Sequence, residues 1–222
     1  MREDNMDFNW DIFLYSLPPI LKGCIVTAEL SVVSIIIGII IGTFGGIARS
    51  SELMIVSVLM WLYVTIFRAI PLLVTLLFLY YGLPATGIQL DAFTVAIIAL
   101  SVTNGAYITE IVRGGIESID RGQMRAARSL GMPYGLAMRR IILPQALRRV
   151  LAPITNESIT LLKSTSLVST IALGDLLRAG LEVMTWKANT FSPFTGVALC
   201  YLALTLPLLA LNSFLERRYR VT

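Results

Sequence analysis

The chain has 222 residues, 56% of them hydrophobic and 14% charged, with a formal net charge of +4 and no histidine. Its mean hydropathy of +0.77 excludes an ordinary soluble domain and points to a membrane protein. A pI near 9.3 would suggest nucleic acid in a soluble protein; here it reads as basic residues gathered on one side of a membrane, with no nucleic-acid partner.

Residues 1–16 hold Glu3, Asp4, Asp7 and Asp11 against Arg2, with Phe8, Trp10 and Phe13 as interface anchors. An acidic tail of this kind suits the extracytoplasmic surface, and it lacks the basic start of a cleavable signal peptide. The first predicted span runs from Leu21 to Ile47, generous against the roughly 20 residues that a crossing needs. Gly38, Gly42 and Gly46 recur along it every fourth residue, which permits close helix packing and reads as scaffold. Lys22 and Glu29 lie near its outer end, where long side chains snorkel. After a short inner turn from Arg49 to Glu52, a second span is expected from Met54 to Tyr81. Gly82 to Phe93 carries no Lys or Arg and fits the outer side.

A third span, Thr94 to Val112, leads into the most basic stretch, residues 113–149. Eight of the eighteen Lys and Arg residues fall there. Gly122 opens a short helix through Leu130, Gly131 caps it, and Pro133 suits the first turn of a second helix. That helix should carry Leu136, Met138, Ile141 and Ile142 before Pro144 interrupts it. A fourth span is expected from Val150 to Leu173, an outer loop over 174–192, and a fifth span from Pro193 to Leu215. The charge pattern places the N-terminus outside and the C-terminus inside. The expected architecture is thus one all-α membrane domain over 1–222, with five spans and two short cytoplasmic helices.

Ionisable groups at the centre of a membrane helix cost about 2.5–3.5 kcal/mol each, so each needs a partner or a purpose. Arg68 lies roughly 24 Å along a helix from Glu52, and Lys163 roughly 21 Å from Arg149, so both should reach middle depths and could face one cavity. A guanidinium grips a carboxylate bidentately; the competing reading of Arg68 is an internal ion pair. Glu157, Thr160, Leu161 and Ser164 share one helix face, either lining a cavity or pairing with a facing helix. Glu110 reads as a partner for Arg113 or for the basic loop. Cys24 and Cys200 lie in apolar runs without metal or disulfide spacing and read as two small buried residues. No Ser/His or Cys/His pair and no metal cluster is present, so no catalytic residue and no metal are expected.

Gly122-Gln123-x-x-Ala126-Ala127-x-x-Leu130-Gly131, followed by Ile142-Leu143-Pro144-Gln145-Ala146, resembles the coupling loop of bacterial ABC-importer permeases, above all those for polar amino acids such as histidine, glutamine, arginine or glutamate. A basic amphipathic segment could instead lie on anionic lipid, but lipid binding needs no fixed glycine and proline positions. Phe67-Arg68-Ala69-Ile70-Pro71-Leu72-Leu73, Ala106-Tyr107-x-x-Glu110-Ile111-x-Arg113-Gly114-Gly115, Asn156-Glu157 and Leu162-Lys163-Ser164-Thr165-Ser166-Leu167 are also similar to that family. The resemblance extends from about Leu21 to Tyr219. It departs at Arg125, where the family usually has Glu.

The resemblance implies a type I importer fold in a bacterial inner membrane. It implies a second permease, identical or related, two cytoplasmic ATPase subunits and an extracytoplasmic solute-binding protein. Gly122, Gln123, Arg125, Ala126, Ala127, Leu130, Gly131, Leu143 and Pro144 would meet the ATPase; Arg68, Glu157, Thr160, Lys163 and Ser164 would meet the substrate. The chain has no phosphate-cradling glycine loop, so ATP belongs to the separate subunits and this chain needs no cofactor. The alternative is an ion-coupled transporter or channel, which needs no coupling loop and often shows inverted repeats; none is detectable here.

Overall fold

The computed structural model describes residues 7–219, which are helical or irregular throughout with no strand among them. Arg2, Glu3, Asp4 and Arg220 of the expected termini lie outside the described residues. Helix α1 spans Trp10–Arg49 and so begins inside the expected tail. Asn9 is the reason: its side-chain oxygen accepts from the Ile12 amide at 3.1 Å, an N-cap that starts the helix early. The helix then runs through Pro18 and Pro19.

Helix α2, Met54–Ala69, ends at Ile70, whose backbone is extended (φ −85°, ψ 126°). Pro71 imposes this, because the ring excludes the helical conformation from the residue before it. Helix α3, Leu72–Leu77, passes into a π turn over Phe78–Gly82 and a 3-10 turn over Leu83–Thr86. Helix α4, Ala92–Glu117, is capped by Asp91, which accepts from the Thr94 amide and hydroxyl at 3.0 and 2.6 Å. Those hydrogen bonds hold the Asp91 carboxyl below its ordinary range.

Helix α5 is Arg121–Ser129 and helix α6 is Tyr134–Ala137. A π turn over Met138–Ile142 then leads straight into helix α7, Leu143–Ser164. Pro144 was expected to interrupt the second loop helix; instead the π turn absorbs it. The Leu143 amide reaches back five residues to the Met138 carbonyl, so the missing proline donor falls where the hydrogen-bond ladder has already shifted. The same arrangement precedes Pro84, where the Leu83 amide bonds the Phe78 carbonyl. A 3-10 segment, Thr165–Ile171, follows α7, then helix α8, Leu176–Lys187, and helix α9, Phe191–Arg218.

By length and hydropathy, α1, α4 and α9 are able to cross a membrane, and α2 with α3 adds a fourth span only if the broken pair is read as one. The expected count of five is therefore not reproduced on this basis. Helix α7 includes Arg148, Arg149, Glu157 and Lys163, too many charges for an apolar crossing.

Contacts divide the chain into two compact units: residues to Ser34, Leu72–Leu100 and Ile159–Leu208 in the first; Ile35–Pro71, Ser101–Ser158 and residues from Leu209 in the second. The first unit has a core of Ile20, Leu176, Ala179 and Val197. Within it Asp175, fully buried, caps α8 by accepting from the Leu177 and Arg178 amides at 3.1 and 3.0 Å. In the second unit the glycine ladder packs α1 on α4. A Cβ at Gly38, Gly42 or Gly46 would collide with Asn104, Ile108 or Val112 respectively, as the scaffold reading required.

Candidate coupling loop and substrate site

Helix α5 begins with Asp120, whose carboxylate accepts from the Gly122 amide at 2.6 Å. A side chain at Gly122 would strike that carboxylate, which explains the glycine. At the other end Gly131 has φ +83°, and the Met132 and Gly131 amides bond the Ala127 and Arg128 carbonyls at 3.1 and 3.0 Å. This is a Schellman motif, closed by a residue in the left-handed conformation that glycine adopts at little cost. Both glycines singled out by the sequence thus have local backbone reasons.

The loop is pinned to the rest of the second unit. Tyr134 donates to the Ser50 carbonyl at 3.1 Å, and Arg128 faces Glu52 at 3.7 Å. Burial, with the Glu52 carboxylate second, raises the Tyr134 phenol's pKa, so it remains a neutral donor. Beneath the loop, Ile116, Ile119, Met138 and Ile142 form a buried core on which Met124 and Leu143 pack.

The nine residues assigned to coupling therefore separate by direction. Ala127 is only 2% exposed and faces the protein's own core, whereas Ala126 and Gln123 are exposed and Leu130 is 84% exposed. Gln123, Ala126 and Leu130 fall at i, i+3 and i+7, one outward strip along α5, with exposed Arg125 beside it. Leu143 and Pro144 border an apolar cleft of about 360 Å³, shared with Ile47, Val112 and Ile154.

Arg68 sits in the last turn of α2, exposed, with its guanidinium 5.2 Å from the centre of the Tyr107 ring. Among the described residues no carboxylate lies within ion-pair distance of it. Glu110 and Glu157 act on it only as longer-range charges. Arg68 also lines a recess of about 150 Å³ with Arg49, Trp61, Val64, Thr65 and Glu110. This recess also receives Arg49, the last residue of α1. Arg49, Trp61 and Thr65 escaped the sequence reading because only tertiary packing brings α1 and α2 to this recess. Tyr107 and Glu110, three residues apart, were visible as one face of α4.

Glu110 has the partner expected for it. Arg113 donates to both its oxygens, Nη2 to Oε2 at 2.8 Å, and contacts Glu117 at 2.6 Å; Arg49 adds a second cation at 3.8 Å. Glu157 is half-buried on α7 in the second unit. Thr160, Lys163 and Ser164 belong to the first, where Thr160 and Lys163 are exposed and Ser164 donates to the Thr160 carbonyl at 2.9 Å.

The family described as binding-protein-dependent transport system inner membrane component matches residues 34–221. The chain belongs to this family. Among the permease's relatives, the arginine transport system permease protein ArtQ of Bacillus subtilis is 37% identical over 97% of this chain and 98% of that protein. The glutamine transport system permease protein GlnP of Escherichia coli K12 is 33% identical over 97% and 100%. The fold is that of a type I importer permease: the crystal structure of an amino acid ABC transporter with histidines superposes with a TM-score of 0.88 at 35% identity, covering 96% of this chain and 100% of that one. The MetNI methionine ABC transporter gives 0.77 at 20% identity, covering 100% of both chains, which supports the fold alone.

Proposed function

We propose that this permease carries a polar amino acid inward across a bacterial inner membrane, driven by ATP that separate cytoplasmic ATPase subunits bind and hydrolyse. The observation that carries this reading is α5: a helix rigidly closed at both ends, seated on a buried core, with Gln123, Ala126 and Leu130 turned outward. Such a strip is a docking element rather than a membrane-crossing one. The partners are a pair of ATPases, a second permease of the same or a related sequence, and an extracytoplasmic solute-binding protein. The N-terminus lies outside and the C-terminus inside, and the chain itself has no catalytic role, metal or cofactor.

Closure of the ATPase pair on ATP would push α5, and the core under it would pass the motion to α4 and α7. Arg68 and Glu157 are proposed as substrate contacts in the second unit, and Thr160, Lys163 and Ser164 as substrate contacts along α7 in the first. Relatives of similar identity are named for arginine and for glutamine, so the amino acid follows from the solute-binding protein rather than from overall likeness. The experiment is uptake by proteoliposomes holding the permease with its ATPase. Accumulation should require both ATP inside and the solute-binding protein outside; uptake driven by an ion gradient alone would overturn the reading.

A further inference from the structure

In the first unit, α1 and α9 run alongside each other in parallel. Asn189 donates to the Asp7 carbonyl at 3.0 Å, the Asn9 amide donates to Ser192 Oγ at 2.8 Å, and a Cβ at Gly196 would meet Ile20 Cδ1 at 3.0 Å. Contacts thus advance together along both helices. One helical turn beyond Ile20 is Cys24, and one turn beyond Gly196 is Cys200, so the two cysteines occupy the next rung of the same seam. The two thiols are close enough to interact. Both are free and half-buried, packed on Ile20, Leu176, Ala179 and Val197. The sequence reads them as two small buried residues without disulfide spacing, and both are indeed free; a separation of this length has no motif, and tertiary packing alone brings the pair together. A disulfide needs Cα atoms within about 4.4–6.8 Å, and Gly196, where an added Cβ would press on Ile20 Cδ1, marks a close approach of the two helices one turn away.

We propose that Cys24 and Cys200 form a reversible intramolecular disulfide that staples α1 to α9. The oxidant is a small-molecule disulfide. The thiolate of one cysteine attacks it, forming a mixed disulfide and releasing one thiol. The second cysteine, as thiolate, attacks the protein sulfur of that mixed disulfide, closing the bond and releasing the other thiol. Two cysteines lose two electrons and two protons, and the small disulfide becomes two thiols. That this seam is nearer the oxidising compartment rests on the orientation proposed above.

The test treats the detergent-solubilised complex with dipyridyl disulfide, which is apolar enough to reach the seam. Remaining thiols are blocked with N-ethylmaleimide after denaturation, and the peptides are examined by mass spectrometry. Both thiols should be lost together, reduction should restore both, and a single cross-linked pair should join the Cys24 and Cys200 peptides. Cys24→Ser should leave Cys200 as a pyridyl adduct with no cross-link; the wild-type result stands even if that variant folds poorly. Separate pyridyl adducts on both cysteines, two thiols still open to maleimide, or cross-links between copies of the permease would each overturn the proposal. Labelling the termini with an impermeant reagent in intact cells reports orientation separately, so an inverted topology would not be mistaken for failure of the thiols to pair.

Discussion

Arg68 stacks on Tyr107 but has no ion-pair partner among the described residues, which leaves its planar fork of donors free for a ligand carboxylate. A charge-assisted hydrogen bond is worth about 1.5–3 kcal/mol, so Arg68→Ala should lower uptake in proteoliposomes about tenfold or more while basal ATPase activity persists. Arg68→Lys keeps the charge but loses the fork and the stacking, and should recover only part of the loss. Normal uptake by Arg68→Ala would make the residue structural. Asp175 poses a different problem. Burial pushes its carboxyl from 3.8 up to about 6 despite the two amides it accepts from. A raised carboxyl pKa means that the folded state holds the proton more tightly. Its contribution to stability is complete below about pH 4 and is lost as pH rises through about 6. At neutral pH the ionised group costs on the order of 3 kcal/mol as an upper bound. Asp175→Asn keeps a capping oxygen and should raise the melting temperature at pH 7.5 but not at pH 4. Equal shifts at both values would refute the assignment.

At the scale of elements, α5 shows how backbone geometry governs a surface. Gly131 has open space where a Cβ would stand, so its requirement is conformational alone (φ +83°). Gly131→Ala should cost about 1–2 kcal/mol, seen as faster hydrogen exchange at the amides of positions 131 and 132. Gly131→Asn should cost less, because asparagine tolerates the left-handed region. Identical exchange in all three proteins would mean that the Schellman closure does not hold the helix. Pro71, Pro84 and Pro144 act on the helical path in two ways. Pro71 divides α2 from α3 because nothing ahead of it relieves the clash with Ile70, whereas Pro144 and Pro84 each follow a π turn and leave the helical path continuous.

For the molecule as a unit of an assembly, Arg125 sets the sharpest expectation. It is exposed on α5 beside the strip of Gln123, Ala126 and Leu130, so it either faces the ATPase groove or projects into solvent. In the first case the groove offers an acidic partner, and Arg125→Glu places like charges together, at a cost of several kcal/mol if the contact is buried. We expect Arg125→Glu to weaken ATPase binding and ATP-driven uptake, with recovery when an acidic groove residue is reversed in turn. Unchanged binding and uptake would show Arg125 to be solvated. We expect exposed Ala126 to enter the same contact and Ala127 not to, because it is committed to the core beneath.

Much of this was legible before any coordinates, for reasons of local physics. Hydropathy marked the membrane class, four-residue glycine spacing marked a closely packed face of α1, and Gly122, Gly131 and Pro133 marked the ends of α5 and α6, since capping and φ preferences act over a few residues. The direction of each side chain in the alanine pair was not legible, because one residue of register decides between core and surface. Nor was the recess around Arg68, the early start of α1, or the meeting of Cys24 with Cys200. Sequence by itself determined the membrane class and the ends of α5 at Gly122 and Gly131, whose causes lie within one helical turn. Only the tertiary structure decided which distant residues share a seam or a recess, because packing between helices depends on shapes that no local pattern encodes.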